Sequence, residues 1–333
     1  MKKSLLTLAA TLAVASTLSA TVIRGSGASF PYAVYQQWTK AYYKATGIKV
    51  DYISKGSSKG IKDIKARQTD FGGSDKPLSP KTLKKYKLYQ FPSVVGAITM
   101  GYNVPGVKSL KLSRAAIASI ALGKVHYWDD KVIAVANPNI SLPHKKVTFV
   151  HRADGSGTTF NFTYFLSKIS KEWRKHYGAK KSVNWPGRQH VGGNKNSGVA
   201  SLIKQTAYSV GYIDYADAKN NGIAMAAVEN KEGEFIEPTL KAFQVAAAKA
   251  DLDPKKDFYA AIADPAGKGA YPIVAATFIL LPKEKKETNK EVVKFFDWCY
   301  VNGKDIATKL GYVPLPDPLV GKVRTYWKEK GLY

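Results

Sequence analysis

Cysteine is nearly absent from this sequence, since Cys299 is the single cysteine in 333 residues. A lone cysteine excludes an intrachain disulfide, and it equally excludes a metal cluster built from cysteine ligands. Long hydrophobic runs are also missing, because no segment after the first twenty residues reaches the roughly 18 consecutive apolar residues of a membrane span. We therefore expect neither a disulfide scaffold nor a transmembrane helix in the mature chain.

Acidic residues are few as well: 25 Asp and Glu stand against 51 Lys and Arg, which leaves a formal net charge of +26. This excess favours anionic partners, and it leaves nucleic acid, a membrane surface and a small oxyanion open. The remaining composition, 45% hydrophobic and 23% charged, is that of a folded globular protein. At about 150 residues per domain, the length predicts two domains.

Residues 1–20 have the composition of a secretory signal peptide. Lys2 and Lys3 form a basic start, an uncharged stretch rich in Leu and Ala follows, and Ser19 and Ala20 close it with small side chains. The alternative, a membrane anchor, needs about 20 predominantly apolar residues, and this stretch is shorter and rich in Thr and Ser. No cysteine lies near the expected cleavage point to carry a lipid. We therefore expect a protein that is free in a periplasm.

After residue 20, short β-branched runs alternate with amphipathic stretches, a pattern typical of α/β proteins with parallel strands. The first unit is predicted as a strand at 21–23, a turn at 25–29, and a helix that begins at Pro31 and ends at Gly47. In that helix Val34, Trp38 and Ala41 or Tyr42 recur at helical spacing, which predicts its buried face. The unit then repeats as a strand at 48–53, a turn at 56–58, a helix that starts near Ile61, and a strand that starts at Asp70.

Two long apolar runs, 90–103 and 272–281, are predicted as strands. They bracket a middle region with its own strand at 146–151 and its own helix from Thr158. This order predicts two lobes whose chain crosses between them twice, with 21–97 and 275–333 in the first lobe and 98–274 in the second. The charged run at 283–294 is interpreted as the solvated start of a helix whose core face contains Val292, Phe295, Phe296 and Cys299.

Three turns at 25–30, 56–60 and 154–159 place Gly, Ser or Thr between a predicted strand and a predicted helix. Backbone N–H groups are unpaired at such a junction, and together with the helix dipole they attract an anion. A hydroxyl in the same turn either donates to a bound oxygen or caps the helix. Both interpretations remain open for any single turn.

The segment 151–160 has the densest functional signal, because Arg152 and Asp154 lie beside a Gly-Ser-Gly-Thr-Thr turn. The guanidinium offers a planar fork of donors that suits a tetrahedral oxyanion, and Asp154 is near enough in sequence to fix its geometry. A surface ion pair is the alternative. Asp75 follows a predicted strand, where it would either accept a proton that the ligand carries or cap the next helix.

At these turns the chain resembles the periplasmic phosphate-binding proteins of ABC-type phosphate importers. The resembling segments, in the order and spacing of that family, are 25–31 (GSGASFP), 56–58 (GSS), 70–75 (DFGGSD), 154–160 (DGSGTTF) and 211–215 (GYIDY). The resemblance implies a two-lobed periplasmic-binding-protein fold of type II, in which each lobe is a mixed sheet flanked by helices and two hinge crossings join the lobes. It further implies capture of inorganic phosphate, delivery to membrane permease and ATPase subunits, no catalysis, no cofactor and a monomer.

The resemblance also assigns roles to single residues. The phosphate ligands that it implies are Ser29, the amide of Phe30, Ser57 and Asp75 from the first lobe, and Arg152, Ser156, Gly157 and Thr158 from the second. Asp154 would orient Arg152 without touching the ligand. Lys59 is a departure, because the family usually has Gly there, and it is expected to change the local potential or the loop shape. For the Gly-rich segment 192–198 we expect a structural role.

Two other classes of function compete with binding of a small anion. An enzyme of the hydrolase type would need a nucleophile elbow, and Ser156 lacks it because Asp154 and Thr158 stand where that motif has Gly. The five histidines have no metal-ligand spacing, so no metal site is expected. A nucleic-acid binder would combine the positive charge with the 20 tyrosines and 6 tryptophans. Here the aromatics recur at core spacing and the lysines are dispersed, so no nucleic acid is expected.

Overall fold

The computed structural model describes residues 22–333, so the predicted signal peptide lies outside the described residues. The strands are β1 (Val22–Gly27), β2 (Lys49–Ser54), β3 (Phe71–Ser74), β4 (Leu88–Asn103), β5 (Lys111–Leu112), β6 (Thr148–Arg152), β7 (His190–Gly193), β8 (Ser209–Asp214), β9 (Ala224–Met225), β10 (Ala227–Glu229), β11 (Phe235–Ile236) and β12 (Val274–Pro282). The helices are α1 (Tyr32–Thr46), α2 (Ser57–Lys65), α3 (Pro80–Tyr86), α4 (Arg114–Ala121), α5 (Lys131–Ala134), α6 (Gly157–Ile169), α7 (Lys171–His176), α8 (Lys195–Gln205), α9 (Tyr215–Asn220), α10 (Leu240–Ala247), α11 (Lys286–Asn302), α12 (Lys304–Lys309) and α13 (Asp317–Glu329). Within 22–333, every helix is too short or too polar to cross a membrane.

The main sheet has the strand order β2-β1-β3-β12-β4-β8-β6-β7, with β9 also paired to β4. Its two halves meet within β4, because residues 88–97 pair antiparallel with β12 while residues 98–103 pair antiparallel with β8. The other pairs of β1 with β2 and β3, and of β6 with β7 and β8, are parallel. Both halves are therefore mixed sheets. We call β1, β2, β3 and β12 the first half-sheet, and β6, β7, β8 and β9 the second.

The helix faces predicted from the sequence are confirmed. Val34, Trp38 and Tyr42 of α1 are buried, and α1 ends at Gly47, whose φ of +73° is a left-handed conformation that glycine adopts without strain. On α11, the predicted core face of Val292, Phe295, Phe296 and Cys299 is buried. The two long predicted strands are β4 and β12, within two residues at each end.

Two predicted turns form part of regular elements instead. Residues 25–27 continue β1 because Gly25 and Gly27 pair with β3, and the ring of Phe71 takes the space where a side chain on Gly25 would lie. Residues 57–58 open α2, immediately after Gly56 turns the chain with a φ of +84°. The predicted start near Ile61 is therefore wrong, because the helix already begins at Ser57. Two helix starts were also off by one residue, since Pro31 precedes α1 and Gly157 begins α6.

Candidate functional site

The predicted site residues lie where strands of both half-sheets end. Ser29 and Phe30 follow β1, Ser57 is the first residue of α2 after β2, and Asp75 follows β3 directly. The junction of β6 and α6 supplies the other four, which are Arg152, Ser156, Gly157 and Thr158. All eight are buried. The carboxyl ends of parallel strands and the amino ends of their helices are the usual place of ligand sites in α/β proteins.

Ser57 links the two half-sheets. Its Oγ accepts a hydrogen bond from the backbone N–H of Gly157 at 3.1 Å and another from the N–H of Asp75 at 3.2 Å. Its hydroxyl donates to Oδ2 of Asp75 at 3.3 Å. Gly157 is needed for this approach, because a Cβ there would lie 2.6 Å from the Cβ of Asp75. The structure thus brings the α2, β3 and α6 residues into one cluster.

Arg152 is the fixed cation of this cluster. Its Nε and Nη2 donate to Oδ1 and Oδ2 of Asp154 at 2.7 and 2.6 Å, and its Nη1 donates to Oδ1 of Asn196 at 2.7 Å. The side chain of Arg152 is 1% exposed, so the alternative of a surface ion pair is wrong. Burial disfavours the charged form of Asp154, yet the hydrogen bonds and charge of Arg152 outweigh it and hold the pKa of Asp154 below its usual value. The pair is therefore a rigid, charged fork.

Asp75 is a buried carboxyl group at the centre of the site. Burial raises its pKa to about 7, although the hydroxyl of Thr277, which donates to Oδ1 at 2.7 Å, and the charge of Arg152 both oppose the shift. The side chain that caps the next helix, α3, belongs to Ser79, so the interpretation of Asp75 as a helix cap is wrong. Near neutral pH, Asp75 can therefore accept a proton or hold one.

The hydroxyl groups of the site have other contacts as well. Oγ of Ser156 accepts from the N–H of Thr159 and so caps α6, which leaves its own O–H free to point elsewhere. Oγ1 of Thr158 lies 3.5 Å from Nη1 of Arg152, and Oγ of Ser29 accepts from the N–H of Asn196 at 3.4 Å. Phe30 contributes only backbone here, because its ring packs in the core against Gly96 and Tyr312.

Three residues of the cluster were missed from the sequence. Asn196 lies in segment 192–198, for which only a structural role was expected, and it touches both Arg152 and Ser29. The strand–turn–helix signature of β7 and α8 could have identified it. Asn161 donates from Nδ2 to the backbone oxygens of Asp75 and Gly157, and Thr277 lies inside an apolar strand. No pattern in the sequence around Asn161 or Thr277 indicates that either residue belongs to the site.

Lys59 does not enter the cluster. It is exposed on α2, and the helix continues regularly through it. The expectation that it changes the loop shape is therefore wrong, because residues 57–65 are helical.

A cavity of about 450 Å³ borders the cluster at Ser29 and is lined from both half-sheets, including Tyr32, Tyr52, Lys195 and Asp217. A larger cavity of about 530 Å³, near Tyr127 and Arg188, is lined by none of the predicted site residues. The cavity at Ser29 thus adjoins the cluster through that one predicted site residue, whereas the larger cavity is separate from the cluster.

Comparison with known proteins gives one consistent result. A family model described as a PBP superfamily domain matches residues 14–302. The chain is 43% identical over 322 residues to the phosphate-binding protein PstS of Haemophilus influenzae, with 96% of each chain covered. It is 45% identical over 309 residues to PstS of Xylella fastidiosa, with 92% of this chain and 84% of that one covered.

Solved structures agree on the fold. A high affinity periplasmic phosphate-binding protein with bound phosphate superposes with a TM-score of 0.74 at 20% identity, covering 92% of this chain and 93% of the other. A phosphate-bound substrate-binding protein of a putative phosphate ABC transporter from Clostridium perfringens gives a TM-score of 0.65 at 17% identity, covering 89% and 100%. The fold is therefore that of the periplasmic binding proteins.

Proposed function

We infer that this chain, which belongs to the PBP superfamily and within it to the PstS phosphate-binding proteins, captures inorganic phosphate and delivers it to an ABC-type phosphate importer. It binds and releases the ion without catalysis. The observation that carries the proposal is that one buried cluster contains both strong hydrogen-bond donors and a hydrogen-bond acceptor. Arg152, fixed by Asp154, offers donors, and Asp75 offers an acceptor whose pKa is about 7.

The chemistry of phosphate fits this pair. Near neutral pH inorganic phosphate still carries a proton, so it can donate one hydrogen bond while its other oxygens accept several. Buried polar groups need partners, and a site of donors with one acceptor satisfies such an ion completely. We propose that Ser29, the Phe30 amide, Ser57 and Asp75 bind it from one side, and Arg152, Ser156, Gly157 and Thr158 from the other.

We propose further that the two half-sheets belong to separate lobes, residues 21–97 with 275–333 and residues 98–274. The change of partner within β4, from β12 to β8 between Ala97 and Ile98, supports this boundary. Export to the periplasm through a cleaved signal peptide is supported by the composition of residues 1–20. The membrane permease and ATPase subunits would then be its partners, and the chain itself would act as a monomer without a lipid anchor or a cofactor.

Isothermal titration of the ligand-free protein with phosphate tests the proposal, and Arg152→Ala is the informative variant. A hydrogen bond to a charged group contributes about 1.5–3 kcal/mol, so the variant should bind phosphate at least about tenfold more weakly. Arg188→Ala is the matched control, because Arg188 is an exposed arginine outside the cluster. We expect the control to bind as the wild type does.

Equal losses from both variants would mean that phosphate binds diffusely to the basic surface. Hydrolysis of phosphate esters by the wild type, lost on replacing Ser156, would contradict the absence of catalysis.

A further inference from the structure

The cavity of about 530 Å³ lies at the opposite end of β6 from the phosphate cluster. Its walls come from the end of α4 and the loop after it, from the residues at the amino end of β6, and from the loop before β7. Arg152 of the cluster lies at the carboxyl end of β6, whereas Lys146 and Val147 of the cavity precede that strand. A volume of this size is typical of sites for small organic molecules.

Backbone contacts hold the walls of this cavity in place. The N–H of Phe149 donates to the carbonyl oxygen of Gln189 at 2.9 Å, and the N–H of Val147 donates to that of His126 at the same distance. The loops on either side also touch directly, because a Cβ on Gly123 would lie 2.7 Å from Cα of Gly187. The cavity is therefore formed before any ligand binds, as in most small-molecule sites.

One side of the cavity is apolar. The side chains of Ile120, Val125, Val147 and Phe149 line it and are otherwise buried in the core. Tyr127 adds an aromatic ring, and this ring stacks on the ring of His144 with 4.2 Å between the centroids. The wall can therefore pack against a flat apolar group and remove it from water.

The charged side chains that line the cavity are all basic. They are Lys146 and Arg188, with His126 beside them, and no Asp or Glu is among the lining residues. Within residues 22–333, no carboxylate comes within 4.0 Å of the cationic groups of Lys146 or Arg188. Two acidic residues of this region have other partners, since Asp129 contacts His144 and Glu172 contacts Lys124.

We propose that this cavity is a second binding site, which takes a small aromatic carboxylate. The carboxylate lies between Lys146 and Arg188, where the guanidinium can donate two parallel hydrogen bonds to it. The ring lies against the apolar wall. An inorganic anion would leave that wall in water, and a neutral aromatic molecule would leave both cations without a partner. The site does not depend on the proposed function, because it shares no residue with the phosphate cluster.

The experiment titrates the phosphate-saturated wild-type protein with 2-naphthoate by calorimetry at constant ionic strength. One naphthoate should bind per chain, and Lys146→Gln/Arg188→Gln should weaken its binding by about tenfold or more, because hydrogen bonds to a charged group are lost. Lys146→Arg/Arg188→Lys keeps both charges and should bind more tightly than the Gln variant. Arg24→Gln/Lys322→Gln is the matched control, because it removes one exposed arginine and one exposed lysine elsewhere.

Two further probes test the two halves of the site separately. Acetate has the charge without the ring, and 2-naphthamide has the ring without the charge, so both should bind at least about tenfold more weakly than naphthoate. Equal affinity for either probe and naphthoate would overturn the proposal. So would the absence of saturable naphthoate binding, or equal naphthoate affinities for the Gln variant and the control.

Phosphate titrations of the same four proteins keep this inference distinct from the proposed function. All four should bind phosphate as the wild type does, which also shows that the variants are folded. Naphthoate binding by a wild type that fails to bind phosphate would overturn the proposed function and leave the second site standing. Phosphate binding without naphthoate binding would overturn the second site alone.

Discussion

At the scale of single residues, the behaviour of the site depends on Asp75. The residue is 1% exposed, and its carboxyl group accepts from Thr277 and Ser57, which belong to other parts of the chain. An ionised ligand oxygen beside an ionised Asp75 would be repelled, whereas a protonated ligand oxygen would donate to it. The same burial that makes the Asp75 carboxyl group selective also raises its pKa. Asp75 should therefore affect both the discrimination between ligands and the pH dependence of the free energy of unfolding.

Asp75→Asn should reduce the discrimination between phosphate and sulfate. Sulfate has no proton to donate at neutral pH, so in the wild type it would lie beside the ionised Asp75 without giving that carboxylate a hydrogen bond. Because the group is buried and charged, the cost should reach or exceed the upper part of the range of about 1–3 kcal/mol. Since about 1.4 kcal/mol is a factor of ten, the wild type should prefer phosphate by well over tenfold. The Asn amide can donate, and the preference should shrink. Paired titrations at one pH and salt concentration measure both ratios.

Asp51→Asn on β2 is the matched control for this change, because its partly exposed carboxylate pairs only with Lys49 among the described residues. The control should keep the wild-type ratio. An unchanged ratio in Asp75→Asn would show that Asp75 does not face the ligand.

Asp75 should also give the ligand-free protein a distinct pH dependence of stability. Its pKa rises from about 3.8 to about 7 on folding, so its contribution is fully present below pH 4 and is lost as the pH rises through 7. The free energy of unfolding of the wild type should therefore fall by roughly 4 kcal/mol relative to Asp75→Asn between pH 4 and pH 8. Urea denaturation in phosphate-free buffers measures the difference. Parallel profiles for the two proteins would contradict the raised pKa.

At the scale of elements, helix α2 positions Ser57 by packing directly on strand backbone. Gly60 makes this possible, because a Cβ there would lie 2.4 Å from Cα of Gly27 and 2.8 Å from the carbonyl oxygen of Gly73. The helix can therefore lie against β1 and β3 without an intervening side chain. Any larger residue would push Ser57 away from Gly157 and Asp75.

Gly60→Ala should destabilise the protein by about 1–3 kcal/mol, since backbone cannot yield to an inserted methyl group as a flexible side chain would. Gly321→Ala on α13 is the matched control. Within the described part of the chain, and leaving aside the adjacent residues and the backbone of its own helical turns, no atom lies within 4 Å of the place that its new methyl group would take. Alanine also favours the helix by about 0.5–1 kcal/mol. Thermal or urea unfolding should therefore shift in opposite directions for the two variants. If Gly60→Ala left the free energy of unfolding unchanged, α2 would be able to shift on the sheet without cost.

At the scale of the whole molecule, two elements join the half-sheets around the cluster. Strand β4 changes its partner between Ala97 and Ile98, and β12 begins opposite Ala97 at Val274. Contacts across the site include the hydrogen bond from the N–H of Ser58 to the carbonyl oxygen of Gly155 at 3.0 Å. A hinge in the two strands would make or break such contacts together.

Phosphate should therefore close the molecule about the strand segments 97–103 and 272–277. We expect a smaller radius of gyration in small-angle scattering with saturating phosphate, and slower hydrogen exchange at the amide of Ser58. The amide of Gly47, which bonds within its own helix to Tyr43, is the control and should not change. A radius of gyration and an exchange rate at Ser58 that do not change with phosphate would contradict hinge closure.

The sequence by itself determined the local parts of this protein. The periodicity of Val34, Trp38 and Tyr42 and the long apolar runs predicted α1, β4 and β12, because helix faces and strands depend on neighbours within a few residues. The Ser57 and Ser156 junctions were recognisable for the same reason. The pairing of Arg152 with Asp154 also follows from a separation of only two residues.

Only the tertiary structure decided how these parts act on each other. Thr277 donates a hydrogen bond to Asp75 across a sequence separation of 202 residues, and Arg152 donates one to Asn196 across 44 residues. No local sequence pattern predicts contacts at such separations. The extension of β1 through Gly27 likewise depends on β3 as its neighbour. The pKa of Asp75 is set by burial and by these distant partners together, because the cost of a buried charge depends on everything that surrounds it. The types of side chain and the local elements could be predicted from the sequence. The burial and the distant contacts of each ionisable side chain arise only when the chain folds.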